Sequence, residues 1–176
     1  YVAGHREIES IMLKYVPTLK SAQRVEVLKY LELICNDVVE ADARFIAFNN
    51  GVYDIMEGVL KPFTSDLIIT NKIPWDYDET TYSELCDNVL NKLSCNDKAI
   101  RMLLEEAIGY SFYRRNELSK AFFLTGEGAN GKSTFLDMLK NLLGQINYSS
   151  LDLAELEERF SIVTLSGKLA NVGDDI

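Results

Sequence analysis

Nine consecutive residues, Gly126-Glu127-Gly128-Ala129-Asn130-Gly131-Lys132-Ser133-Thr134, have the types and spacing of a phosphate-holding loop. Glycines at 126, 128 and 131 let the backbone turn tightly and bring bare N–H groups against phosphate oxygens. Lys132 supplies a point charge for the β and γ phosphates, and the Ser133 hydroxyl is placed to ligate Mg²⁺. A helix starting here adds its positive dipole end to the same anion site. The four fixed positions of the pattern match by chance at roughly 4 in 100,000 starts. The whole stretch, Ala129 and Thr134 included, is therefore read as the nucleotide-binding loop, with ATP and Mg²⁺ as the expected ligands.

A second candidate lies at the end of the chain. Lys168-Leu169-Ala170-Asn171-Val172-Gly173 reads as a mostly apolar strand and runs into Asp174-Asp175-Ile176. Phosphoryl-transfer chemistry needs a carboxylate at a strand tip to hold Mg²⁺ and a group to orient or deprotonate the attacking water. Asp174 and Asp175 suit these two roles in either order, with Asp174 and Ser133 the expected metal-side pair. Lys132, Asp174 and Asp175 form the expected catalytic set.

The elements that must position these groups are legible in the apolar spacing. Lys120-Ala121-Phe122-Phe123-Leu124-Thr125 predicts a buried strand entering the loop. Phe135, Leu136, Leu139, Leu142 and Leu143 predict a helix leaving it, closed by Gly144. Strand, glycine loop and helix are the context that the pattern requires. Asp152 and Glu155 then mark a further helix start, with Leu153, Leu156 and Phe160 on one face and Ser149 and Ser150 as capping residues.

Upstream, residues 4–15 and 21–36 predict amphipathic helices, the second carrying Val27, Leu28, Leu31, Ile34 and Cys35 on one face. Phe45–Phe48 and Val52–Ile55 flank Asn49-Asn50-Gly51, a hairpin signal, and a turn at Glu57-Gly58 extends this into a short meander. Pro74-Trp75-Asp76-Tyr77 breaks it. Trp75 and Tyr77 could stack on a base, but capping of a small core is the reading favoured. Two more helices are expected, over 82–93 and about 97–113, the latter with Ile100, Leu103, Leu104, Ala107, Ile108 and Phe112 on one face. Arg114-Arg115 reads as a solvated helix end, and the composition turns polar near residue 117.

Composition excludes several classes. The 27 acidic and 18 basic residues leave a net charge of −9, which repels a phosphate backbone over most of the surface. Tight DNA binding by this chain alone is therefore not expected. No apolar run approaches 18 residues, so no membrane partner is expected. His5 is the only histidine, and Cys35, Cys86 and Cys95 lack metal spacing, so the thiols read as free.

The phosphate loop with its Asn130-Gly131-Lys132-Ser133 core, Phe160, and Gly167 through Asp175 together resemble the superfamily 3 helicases. Within them the likeness is to the primase-helicases of phages, plasmids and poxviruses. Phe48-Asn49-Asn50-Gly51-Val52-Tyr53-Asp54 and Thr70-Asn71-Lys72-Ile73-Pro74 are similar to the region preceding the motor in that group. The resemblance implies a homohexameric ring of AAA+ subunits that hydrolyses ATP and moves on single-stranded or forked DNA, with a primase domain as a possible companion. It implies a cytoplasmic phage or prophage protein. It also implies a chain cut inside the ATPase domain, ahead of the arginine finger, the sensor and the DNA hairpin, and therefore inactive alone.

The expected fold class is α/β. Residues 1–117 form a mainly helical region with a small β-meander, and 118–176 the start of a P-loop AAA+ domain with a parallel sheet. Two other functions remain open on the same loop. One is a phosphotransferase such as a nucleoside or small-molecule kinase; the other is a non-enzymatic module that binds nucleotide to stabilise an assembly.

Overall fold

The computed structural model describes residues 4–34, 39–128, 130–158 and 161–173 of the 176. The chain divides into two compact units, residues 1–40 and 41–176. In the first, α1 (Gly4–Tyr15) and α2 (Ser21–Ile34) form a helical hairpin. Its antiparallel sense shows in two cross-helix pairs, His5 Nε2 with Glu32 Oε1 at 2.8 Å and Arg24 Nε donating to Glu9 Oε1 at 3.3 Å. Of the face expected on α2, Leu28 is buried, whereas Val27 and Ile34 are exposed and Cys35 lies outside the described residues. A two-helix hairpin has too little depth to bury more.

The second unit is mixed helix and sheet, as expected. It opens on an antiparallel meander of β1 (Phe45–Phe48), β2 (Gly51–Asp54) and β3 (Val59–Lys61). The register pairs Phe48 with Gly51, so the turn residues are Asn49 and Asn50, one step earlier than the Asn-Gly signal suggested. Gly51 is needed in the strand instead: a Cβ there would lie 2.5 Å from the Lys61 carbonyl oxygen on β3. Strand alternation sends Phe45 and Ala47 into one cluster with Val52 and Ile69. Ile46 and Phe48 face the other way, against Ile73, Leu139, Leu143 and Val172. The meander is thus covered on both faces.

Tyr77 caps this core, its ring 4.6 Å from Tyr53 and 5.3 Å from Phe48. Trp75 is half exposed but donates from Nε1 to the Asn141 carbonyl at 3.0 Å. Core capping, not an open stacking platform, therefore describes the pair.

Two capped helices follow. Ser83 accepts from the Cys86 N–H to open α3 (Glu84–Leu93), and Asp97 accepts from Ala99 and Ile100 to open α4 (Lys98–Tyr110). Arg101 of α4 ties them together, donating to Asp87 Oδ1 at 2.8 Å, to Asn91 Oδ1 at 2.7 Å and to Glu105 Oε1 at 2.8 Å. The Arg101 hydrogen bond and charge hold the Asp87 carboxyl below the usual carboxylate range.

Arg114 is not a solvated helix end. Its guanidinium donates to the carbonyls of Ala41 and Asp42, both at 2.8 Å, and so closes the start of the meander. Arg115 alone fits the solvated reading, pairing with Glu117 and Asp42.

Downstream, α5 spans Lys132–Leu143, and β4 (Tyr148–Ser149) pairs in parallel with β5 (Ala170–Asn171). The expected strand over 120–125 has no regular structure, and the expected 168–173 strand shortens to two paired residues. Lys120–Leu124 and β5 both line a cleft of about 810 Å³, and no backbone hydrogen bond joins them. A strand exists only through its ladder, and these two segments lack one between them. The expected parallel sheet is therefore two-stranded among the described residues.

The helix expected from Asp152 is reduced to short 3₁₀ turns at Glu155–Glu157 and Ser161–Leu165, with Phe160 outside the described residues. The capping box itself forms: Asp152 N–H donates to Glu155 Oε2 and Glu155 N–H to Asp152 Oδ1. Ser149 does not cap a helix; its hydroxyl donates to Asn171 Oδ1 across the two strands at 2.9 Å.

Candidate functional site

The glycine-rich loop is held at both ends by one apolar cluster. Leu124 ahead of it and Phe135 after it pack with Leu90 and Leu93 of α3 and Leu104 and Ala107 of α4. Phe135 is 4 % exposed and therefore fixes the first turn of α5. Gly131 is the helix N-cap, with φ 86° and ψ 8°, a left-handed conformation that glycine adopts without cost. No side chain caps the helix, so its first-turn amides keep no side-chain acceptor of their own.

Lys132 turns back over the loop. Its ammonium donates to the Gly126 carbonyl at 2.9 Å, the Glu127 carbonyl at 3.2 Å and Asn130 Oδ1 at 3.0 Å. The Asn130 carboxamide folds across Gly126, where any side chain would collide with its Nδ2. The space around Gly128 is open, and Ser133 and Thr134 are exposed at the start of α5. A cation, uncapped helix amides and an exposed hydroxyl thus converge at one loop, a donor set suited to an oligophosphate with its metal.

Eight of the nine loop residues are brought together here, while Ala129 lies outside the described residues. Asp174 and Asp175 also lie outside them, so the expected carboxylates are approached only as far as Gly173. The strand leading to them does pack on α5: Val172 clusters with Leu139 and Leu143. Val172 and Gly173 line the same cleft as Phe135 in the first turn of that helix. Among the described residues no group of three or more His, Cys, Asp and Glu is disposed to hold a metal.

Spacing did not reveal Leu93. Its side chain lies against the loop, and a Cβ at Gly131 would come 2.5 Å from Leu93 Cδ2. Nothing in the local sequence signals a contact across 38 positions; it arises from how α3 packs on α5. No described helix is long and apolar enough to cross a membrane.

Comparison with known proteins bears on both halves of the chain. Residues 124–176 match a family of unknown function (DUF5906). A protein of Acanthamoeba polyphaga mimivirus named "Putative helicase L207/L206" is 31% identical over 132 residues, 72% of this chain and 13% of the relative. "Putative helicase 121R" of Invertebrate iridescent virus 3 is 25% identical over 174 residues, 89% of this chain and 18% of the relative. The chain thus spans less than a fifth of the length of either relative. Residues 5–117 match the model of the D5 N terminal like family, and with well over half of its length inside that match the chain belongs to that family.

Proposed function

We propose that this chain is the nucleotide-binding segment of an ATP-hydrolysing DNA helicase subunit acting in replication. The observation that carries the reading is the convergence of the Lys132 ammonium on the glycine loop at the uncapped start of α5. Two relatives named as helicases, matched over 72% and 89% of this chain, support the choice of a motor over a kinase or a passive assembly module.

In this reading Lys132 exchanges its three loop acceptors for β and γ phosphate oxygens, a charge-assisted replacement for neutral carbonyl partners. The first-turn amides of α5 and the backbone of Gly126 through Gly131 cradle the remaining oxygens. Ser133 would hold the Mg²⁺, with Asp174 and Asp175 as the carboxylates for metal and water. Bound Mg-ATP supplies the phosphoanhydride whose cleavage drives movement on DNA. With a net charge of −9, contact with single-stranded DNA falls to other parts of a hexameric assembly.

The test is binding and turnover together. Calorimetry should show Mg-ATP binding to this chain and none to Lys132→Ala. In the longer protein that carries these residues, ATP hydrolysis should rise with single-stranded DNA and vanish in the same variant. Undiminished Mg-ATP affinity in Lys132→Ala would sink the assignment of the loop. Turnover indifferent to DNA would sink the motor.

A further inference from the structure

We infer that Leu93 is a positioning residue for the glycine loop, so that the α3–α4 turn and the occupancy of the loop report on one another. The inference rests on the phosphate-loop reading only for its ligand; the contact itself is geometric.

Three observations meet at this point. Leu93 Cδ2 occupies the space above Gly131, leaving no room there for even a methyl group. Gly131 is the left-handed N-cap from which Lys132 and the first-turn amides take their directions. Leu93 also belongs to the cluster that holds Leu124 and Phe135, so the loop is braced before, at and after its turn by the same two helices. A shift of Leu93 must therefore move Gly131 or open a void beneath it, because packed apolar contacts do not deform continuously.

The other side of Leu93 is built differently. Ser94 is buried, and Cys95 and Asn96 follow with φ of 52° and 60°, two consecutive non-glycine residues in the left-handed region. Such a pair is sparsely populated and persists only where its surroundings hold it. Here the holding contacts are local: Ser94 Oγ donates to the Asn91 carbonyl at 3.1 Å, and Asp97 N–H donates to the Ser94 carbonyl at 2.9 Å. A strained turn thus abuts the loop through one side chain. Phosphate entering the loop draws Lys132 away from Gly126, Glu127 and Asn130, and the rearranged N-cap presses on Leu93. The α3–α4 turn tightens or relaxes in response.

Amide hydrogen exchange on the whole chain tests this, with Leu93→Ala and Leu90→Ala compared. Leu90 is 8 % exposed in the same cluster, so its truncation costs comparable core stability without touching Gly131. In the nucleotide-free protein, Leu93→Ala should speed exchange at residues 135–138, the first α5 amides with helical acceptors, about tenfold beyond its effect on global stability. Leu90→Ala should not, and Leu93→Met should restore the wild-type rate. Equal acceleration by both alanine variants, or none by Leu93→Ala, overturns the inference. In wild type, Mg-ATP should then change exchange at residues 94–97, and this response should disappear in Leu93→Ala. A loop that binds nucleotide while 94–97 exchange unchanged overturns the coupling. A wild-type chain that binds none condemns the phosphate-loop reading, while the nucleotide-free comparison still decides the contact.

Discussion

Asn50 and Tyr77 exchange two hydrogen bonds, the Asn50 carboxamide donating to the Tyr77 carbonyl and accepting from its N–H, both at 2.9 Å. A side chain thereby stands in for a strand. Asn49 does the same one step away, donating from Nδ2 to Pro74 at 2.8 Å while its N–H reaches the Trp75 carbonyl. The β1–β2 turn is thus fastened to the 74–77 segment that covers the core. Asn50→Ala should cost about 1–2 kcal/mol in denaturant unfolding. Asn50→Asp, keeping the acceptor and losing the donor, should fall between the two. A stability equal to wild type in Asn50→Ala would show that the fastening carries no net energy.

Two glycines of the same chain should respond unequally to alanine. At Gly51 the new methyl meets backbone, the Lys61 carbonyl at 2.5 Å, which cannot move without breaking the β2–β3 ladder. Gly51→Ala should lose about 2 kcal/mol or more. At Gly128 nothing lies within 4 Å, and the change should stay within about 0.5 kcal/mol. Thermal unfolding of the two variants side by side decides it.

Asp54 makes folding sensitive to acid. It is 0 % exposed, and burial alone would raise its carboxyl. The hydrogen bonds from Lys61 Nζ at 3.0 Å and from the Met56 N–H at 3.1 Å, with the charges of Arg44 and Lys61, outweigh this and hold it below the usual range. A carboxyl lowered in the folded state stabilises above its unfolded value of about 3.9, and that stabilisation fades as pH falls through the native value. Asp54→Asn should therefore be less stable than wild type at neutral pH, and the gap should narrow below about pH 4. A gap independent of pH would assign the loss to packing.

Arg101 gives the second electrostatic test. Its side chain is 20% exposed and joins α3 to α4 through Asp87 and Asn91. Arg101→Met keeps the stem and removes the donors, so it should cost about 1–3 kcal/mol. The Asp87 titration followed by NMR should move up toward the ordinary carboxylate value. If Asp87 stays low in the variant, its helix and neighbours hold it without Arg101.

Local chemistry in the sequence determined much of this protein. Residues 4–15 are helical at the predicted bounds because apolar spacing fixed that face. Asp97, Asp152 and Glu155 cap as their types require, and Gly144 closes α5 at φ 79°. The glycine loop is legible from spacing alone, since phosphate chemistry constrains neighbouring residues rather than distant ones. The Asn-Gly signal pointed one residue too far along, because the packing of Lys61 against Gly51 outranked turn preference. Lys120–Thr125 looks like a strand by composition, yet a ladder needs a neighbour, and among the described residues none pairs with it. Arg114 resembled a surface charge until the carbonyls of Ala41 and Asp42, more than 70 positions away, became its acceptors. Periodicity and turn chemistry are properties of neighbours in the chain. The seat of Arg114, the contact of Leu93 on Gly131 and the fate of the strands expected at 120–125 and 168–173 were decided only when distant segments met.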